Sequence, residues 1–219
     1  MGKYLRAAER LSDHLWLLRG VFDRPERHRL ACALAAETLG CHAHGLALTT
    51  DTNGRPTLNA PLSLNLSYRD GLLLVGMADS AMGVDVEWVD GDYADVARDQ
   101  FSPGECRWLA SIRQPDAFTR LWTGKEAVLK ATGQGIALGM AEPDFAPLLR
   151  LGLPFEASEC EIDYGGRIFG LHWRALTGNR PALAASALLR HPLVTIFLLT
   201  FSCPRAAPPC GPKRGDGVI

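Results

Sequence analysis

Asp85 and Glu87 stand one residue apart in Gly83-Val84-Asp85-Val86-Glu87, where small or apolar positions alternate with acidic ones. Side chains two apart on a β-strand share a face, so both carboxylates project together. Two carboxylates on one face can hold a hard cation, although an isolated D-x-E is most simply a solvated strand face. Further on, Lys125-Glu126-Ala127-Val128-Leu129-Lys130 places Glu126 and Lys130 four apart, neighbours on one face of a helix. Alone they would form a surface ion pair worth only about 0.2–0.5 kcal/mol. Beside Asp85 and Glu87, however, they add a third carboxylate and a lysine suited to a phosphate. Mg²⁺ usually takes one or two protein carboxylates, waters and substrate phosphate oxygens, and these residues offer that inventory.

The elements that position them are legible in part. Asp23-Arg24-Pro25-Glu26 is a capping box with proline in the first turn, opening a helix with Leu30, Leu34 and Ala35 on its apolar side and Gly40 at its end. Short strands follow at Leu46 to Thr50, Ser63 to Tyr68, Leu72 to Ala78 and Gly83 to Val89, with a turn at Asp51 to Pro56. A second capping box, Ser102-Pro103-Gly104-Glu105, starts a helix through Trp108, Leu109 and Ile112. A longer helix runs from about Asp116 to Thr132, stopped by Gly133. Four strands are expected after it: Glu159 to Asp163, Arg167 to Ala175, Ala182 to Leu189 and the apolar run Leu193 to Phe201.

Helix followed by antiparallel meander therefore occurs twice. The expected fold is α+β, with two similar halves at 1–92 and 93–202 and no repeat that aligns residue by residue. The Pro- and Gly-rich tail, 203–219, lacks the apolar content to order itself and is expected to be mobile.

The whole chain has 219 residues, 47% hydrophobic and 21% charged, enough to bury a core as one large domain or two small ones. Its 23 Lys and Arg against 24 Asp and Glu lack the basic excess of a nucleic-acid binder, so any anion site is a local cluster. Six cysteines without a C-x-x-C pair, and no secretory signal, fit reduced thiols in a cytoplasmic protein. The nine-residue apolar run is too short to span a bilayer as a helix. Cys41-His42-Ala43-His44 crowds three possible zinc ligands without a distant partner and reads as a loop. Trp88, Trp108, Trp122 and Trp173 read as core, and Ser67 has no histidine placed by motif to make it a nucleophile.

Gly83 to Glu87, followed by Phe118-Thr119-Arg120-Leu121-Trp122-Thr123-Gly124-Lys125-Glu126-Ala127-Val128-Leu129-Lys130, resembles the signature pair of the 4′-phosphopantetheinyl transferase superfamily. Asn53-Gly54-Arg55-Pro56 resembles that family's G-K-P turn, Asn65-Leu66-Ser67-Tyr68 its N-[LI]-S-H strand, and Arg29 the arginine near the start of its first long helix. The resemblance spans about residues 25 to 180 and is closest to the longer, surfactin-synthetase type. Departures are Tyr68 for histidine, Arg55 for lysine, Gly124 within W-x-x-K-E, and the tail.

The resemblance implies a monomer of two pseudo-symmetric α+β halves with coenzyme A in the cleft between them. It implies transfer of 4′-phosphopantetheine from coenzyme A to a serine of an acyl or peptidyl carrier protein of fatty-acid, polyketide or nonribosomal-peptide synthesis, releasing adenosine 3′,5′-bisphosphate. Mg²⁺ would lie on Asp85, Glu87 and Glu126, with Glu126 and Lys130 as the catalytic pair and a water on the ion as the alternative base. Coenzyme A would meet Arg29, Gly54, Arg55, Pro56, Ser67, Tyr68 and Lys125, with Tyr68 facing the 3′-phosphate. The alternatives are a non-catalytic module that binds carrier protein or coenzyme A, and a Mg²⁺-dependent phosphohydrolase. No nucleic acid or membrane is an expected partner.

Overall fold

A computed structural model describes residues 7–52, 54–90, 93–135, 139–150 and 159–190. The apolar run Leu193 to Phe201 and the tail from 203 lie outside the described residues. In chain order the elements are β1 (Glu9–Ser12), β2 (Leu15–Arg19), α1 (Arg24–Leu39), β3 (Leu48–Thr50), β4 (Pro56–Leu58), β5 (Ser63–Arg69), β6 (Leu72–Ala78) and β7 (Met82–Trp88). They continue with α2 (Ala94–Gln100), α3 (Pro103–Ser111), α4 (Ala117–Thr132), α5 (Ala146–Leu149), β8 (Glu159–Tyr164), β9 (Arg167–Leu176) and β10 (Ala182–Leu189).

Both expected capping boxes are present, Asp23 with Glu26 on α1 and Ser102 with Glu105 on α3, and Gly40 and Gly133 end α1 and α4 in the left-handed conformation. The sequence reading missed the β1–β2 hairpin, β4, α2 and α5. Two four-stranded antiparallel sheets result, ordered β1-β2-β6-β5 and β7-β10-β9-β8. β7 lies on the N-terminal side of the expected boundary at 92, yet it is hydrogen-bonded to β10 in the second sheet.

The period of two along β6 decides how the layers stack. Leu73, Val75 and Met77 pack with Leu30, Ala31 and Leu34 of α1, whereas Leu72, Leu74 and Ala78 pack with Met82, Val84 and Val86 of β7 and Ala184 of β10. On the far side of the second sheet, Leu121, Val128 and Leu129 of α4 meet Phe169, Leu171, Leu183 and Ala185. The order of layers is thus helix, sheet, sheet, helix. Because Val84 and Val86 face the first sheet, Gly83, Asp85 and Glu87 occupy the opposite face of β7, toward α4.

Gly83 sets how closely the two approach. A Cβ on it would lie 2.0 Å from the Ala127 carbonyl oxygen and 2.4 Å from the Ala131 nitrogen, both backbone atoms of α4. Gly83→Ala must therefore push the helix away, an overpacking cost of about 3 kcal/mol. The expected result is a fall in Tm of roughly 6–12 °C, measured by calorimetry; a change under about 2 °C would contradict this packing. Gly124 has a different reason for its missing side chain: a Cβ there would lie 2.6 Å from Trp173 and 3.0 Å from Phe145, so core packing occupies the space.

Candidate active site

The polar face of β7 and one stripe of α4 meet where the sequence placed them. Lys130 Nζ lies 2.8 Å from Asp85 Oδ1 and 3.0 Å from Glu126 Oε2. Asp85 is almost fully enclosed, its side chain 2% exposed, while Glu126 and Lys130 retain 12% and 24%. Ser67 Oγ donates to the same Asp85 oxygen at 2.8 Å. Asp85, Glu126, Lys130 and Ser67, four residues from three elements, therefore form one cluster.

Electrostatics separate the two acids. Burial alone would raise the Asp85 carboxyl, but the Lys130 ammonium and hydrogen bonds from Glu126, Lys130 and Ser67 outweigh it and hold Asp85 below the usual carboxylate range. Burial and the adjacent Asp85 charge push Glu126 up to about 8. The two carboxylates in turn outweigh the desolvation of Lys130 and raise its pKa. Asp85 Oδ2 is buried and receives no hydrogen bond from a fixed donor; only a Glu126 carboxyl that keeps its proton can offer one.

Glu87 stands differently. Its carboxylate is 3.0 Å from Arg69 Nε, and burial followed by the Asp85 charge pushes it up to about 7. Among the described residues, no group of three or more His, Cys, Asp or Glu side chains is gathered closely enough to hold a metal. Glu87 and Arg69 instead line a cavity of about 140 Å³ walled by Trp88, Tyr93, Phe118 and Trp122. Trp88 and Trp122 thus bound open space, whereas Trp173 is core, as expected from the sequence.

The residues expected to meet coenzyme A are spread apart. Lys125 is corrected outright: its ammonium is fully buried, 2.6 and 2.7 Å from the two oxygens of Glu105, and no surface is left for a phosphate. The reason is helical geometry, since consecutive residues point about 100° apart and Lys125 faces α3 while Glu126 faces β7. Burial lowers the Lys125 pKa, with Glu105 opposing.

Ser67 is also corrected, for it bonds Asp85 and the Val86 N–H in the interior. Tyr68 points to the other face of β5, where its hydroxyl accepts the Phe22 N–H at 3.4 Å and the Arg27 guanidinium stacks 4.6 Å from its ring. Arg29 is exposed on α1, beside a separate cleft with His28, His44 and Leu46. Gly54 takes φ +80° in the turn before Pro56, which opens β4. Arg55 donates to Ser63 Oγ at 3.3 Å and the Met82 carbonyl at 3.4 Å, near the C-terminal end of α4.

Sequence reasoning missed Arg69, Arg27, Asn65 and Glu105 as site or supporting residues. Only Asn65 carried a signal, since it alternates with Ser63 and Ser67 on one face of an expected strand. Glu105 was legible only as a cap.

The 4′-phosphopantetheinyl transferase superfamily matches residues 81–185, the stretch that holds β7, α4 and the second sheet. Over these residues the chain is similar to that superfamily. The chain is 32% identical over 118 residues to a putative 4′-phosphopantetheinyl transferase of Synechocystis, covering 49% of this chain and 48% of that one. It is 33% identical over 97 residues to a 4′-phosphopantetheinyl transferase of Bacillus pumilus, 42% of each. With a 4′-phosphopantetheinyl transferase of Bacillus subtilis it shares 26% identity over 131 residues, 55% of this chain and 58% of the relative. The chain spans about half the length of the curated relatives it matches. Among the described residues, no helix is long and apolar enough to cross a membrane.

Proposed function

We propose that this chain is a Mg²⁺-dependent transferase that moves the 4′-phosphopantetheine arm of coenzyme A onto a carrier-protein serine and releases adenosine 3′,5′-bisphosphate. The observation that carries the reading is the convergence of Asp85, Glu126 and Lys130 inside the superfamily match. Mixed charge of this kind, held in a largely buried cluster, suits a phosphoryl group better than a bare binding surface does.

The donor set fits a divalent cation. Asp85 Oδ2 lacks a fixed donor, and burial and the Asp85 charge hold Glu126 against ionising. Asp85 and Glu126 would hold Mg²⁺, and Glu87 would join them only by releasing Arg69. When bound, the ion would neutralise charge on the pyrophosphate as the bond to the leaving phosphate breaks.

The protein's own groups account for the other steps. The carrier serine attacks the phosphorus that bears the pantetheine arm, and the oxygen of the departing bisphosphate leaves with the bond pair. Glu126 accepts the serine proton; its pKa of about 8 is that of the cation-free chain, and Mg²⁺ on the same carboxyl would lower it. Lys130, fixed between two carboxylates, balances charge on the transferring phosphoryl group. The aromatic cavity beside Glu87 offers the arm an apolar wall. Arg29, Gly54, Arg55, Pro56 and Tyr68 remain the proposed contacts of coenzyme A, with Arg27 added at Tyr68.

The two helix-on-sheet units, α1 on the first sheet and α4 on the second, are read as pseudo-symmetric halves of a cytoplasmic monomer with the cofactor between them. The limits expected from the sequence, 1–92 and 93–202, divide the chain only in part, because β7 is hydrogen-bonded to β10 across them. An acidic carrier protein would dock on a local basic or apolar patch, the net charge being only -1.

Coenzyme A radiolabelled in the pantetheine arm separates the alternatives when mixed with apo carrier protein and Mg²⁺. A transferase puts label on the carrier; a phosphohydrolase releases it as free phosphopantetheine; a binding module leaves it in coenzyme A. Lys130→Ala is expected to lower kcat by at least about 100-fold, with a smaller loss of coenzyme A affinity, because its charge is needed most as the phosphoryl group transfers. An unchanged kcat with a raised KM would assign Lys130 to substrate binding instead.

A further inference from the structure

We propose that Asn65 and Ser67 are positioning residues for Asp85, and that the polar face of β5 serves the cation site rather than coenzyme A. The inference rests on the transferase reading above only for the purpose of that site.

β7 is an edge strand: its backbone ladder runs to β10, and its other edge faces β5 without entering the first sheet. The N–H groups on that edge are met by side chains instead. Met82 N–H donates to Ser63 Oγ at 3.3 Å, Val84 N–H to Asn65 Oδ1 at 2.9 Å and Val86 N–H to Ser67 Oγ at 3.3 Å. The period of two on β5 matches that on β7, so three alternate side chains satisfy three alternate peptides. Val84 and Val86 flank Asp85, which leaves its backbone held on both sides.

Ser67 also holds the carboxylate. A hydroxyl has one proton to donate and two lone pairs to accept with. The proton goes to Asp85 Oδ1 at 2.8 Å, and the oxygen receives the Val86 N–H and, at 3.4 Å, Lys130 Nζ. Its hydrogen-bonding capacity is used, and at 8% exposure it has little surface to show a phosphate. Fixing Oδ1 in this way turns Oδ2, the oxygen without a fixed donor, toward whatever cation the site takes.

The test uses Mn²⁺ alone, titrated calorimetrically into the whole chain described above, with coenzyme A binding measured separately in chelator. Ser67→Ala is expected to weaken Mn²⁺ about 10-fold, as loss of an orienting partner does at metal sites, and to leave coenzyme A affinity within about 2-fold. Ser67→Thr keeps the hydroxyl and should return Mn²⁺ affinity to within about 3-fold of the parent. Should the alanine variant fail to fold, Ser67→Cys, with its weaker donor, is expected to show an intermediate loss. Unchanged Mn²⁺ binding in Ser67→Ala, or in the cysteine variant where that is used, overturns the proposal. So does no Mn²⁺ binding by the parent, or a loss confined to coenzyme A. A parent that binds Mn²⁺ but modifies no carrier protein overturns the transferase reading and leaves the Mn²⁺ comparison to decide this one.

Discussion

Glu126→Gln is expected to lower the rate of carrier-protein modification by about 10²–10⁴-fold, the range for a lost general base, without lowering thermal stability. Both halves of the result follow from where the carboxyl sits. Burial and the adjacent Asp85 charge raise its pKa to about 8 in the folded chain, against an ordinary value of 4.5. The folded state therefore binds this proton more tightly than the unfolded state does. Stability from that source is full below the ordinary carboxylate range and is lost as pH rises toward the folded value. Glutamine is neutral in both states and loses nothing. Without divalent cation, the Tm of the variant should match or exceed the parent's, the gap widening from pH 5 to about 8 and then levelling. A variant that retains activity within about 10-fold, or melts lower at pH 9, would remove Glu126 from the role assigned to it.

Lys125→Ala is expected to act almost wholly on stability. Both members of the Lys125–Glu105 pair are fully buried, and Glu105 also accepts the Phe145 N–H at 2.8 Å and the Ser102 N–H at 2.8 Å. Lys125 further lies 5.2 and 5.6 Å from the rings of Phe101 and Phe145. The network ties α3, α4 and the segment leading into α5 together. Removing the lysine leaves a buried carboxylate without its counter-charge, a loss of about 3–5 kcal/mol and roughly 6–20 °C in Tm. Pairing Lys125→Met with Glu105→Gln removes both charges and should recover a large part of the loss, which a double-mutant cycle in urea would quantify. A Tm within about 2 °C of the parent, together with a raised KM for coenzyme A, would restore the phosphate-binding role expected from the sequence.

These two adjacent residues show how far the sequence could be read. Glu126 was legible because its partner Lys130 lies four residues away on the same helix, so spacing alone joined them. Lys125 was misplaced because its partner, Glu105, belongs to another helix, and no local pattern reports a contact across that distance. The strands β5, β6 and β10 were found at or near their bounds because their apolar content is regular and their turns carry glycine or aspartate. The hairpin β1–β2 escaped because Glu9-Arg10-Leu11-Ser12 is short and mostly polar, and its pairing with Leu15 to Arg19 is what makes it a strand. Ser67 followed the family pattern to coenzyme A, yet the stacking of β5 on β7 turned it to Asp85. For Lys125 and Ser67 what the sequence lacked was a long-range pairing, and β7 itself joins β10 about a hundred residues later.

The central claim is that Asp85, Glu126 and Lys130 form a phosphoryl-transfer site that modifies a carrier protein, and the intact mass of that carrier tests it most directly. Apo carrier protein would be incubated with coenzyme A, Mg²⁺ and either the parent chain or Glu126→Gln, then weighed and fragmented. The predicted result is a gain of one phosphopantetheine on a single serine with the parent chain, abolished by chelator and lost in Glu126→Gln. An unchanged carrier mass across apo acyl and peptidyl carrier proteins, or an equal gain with Glu126→Gln, would contradict it.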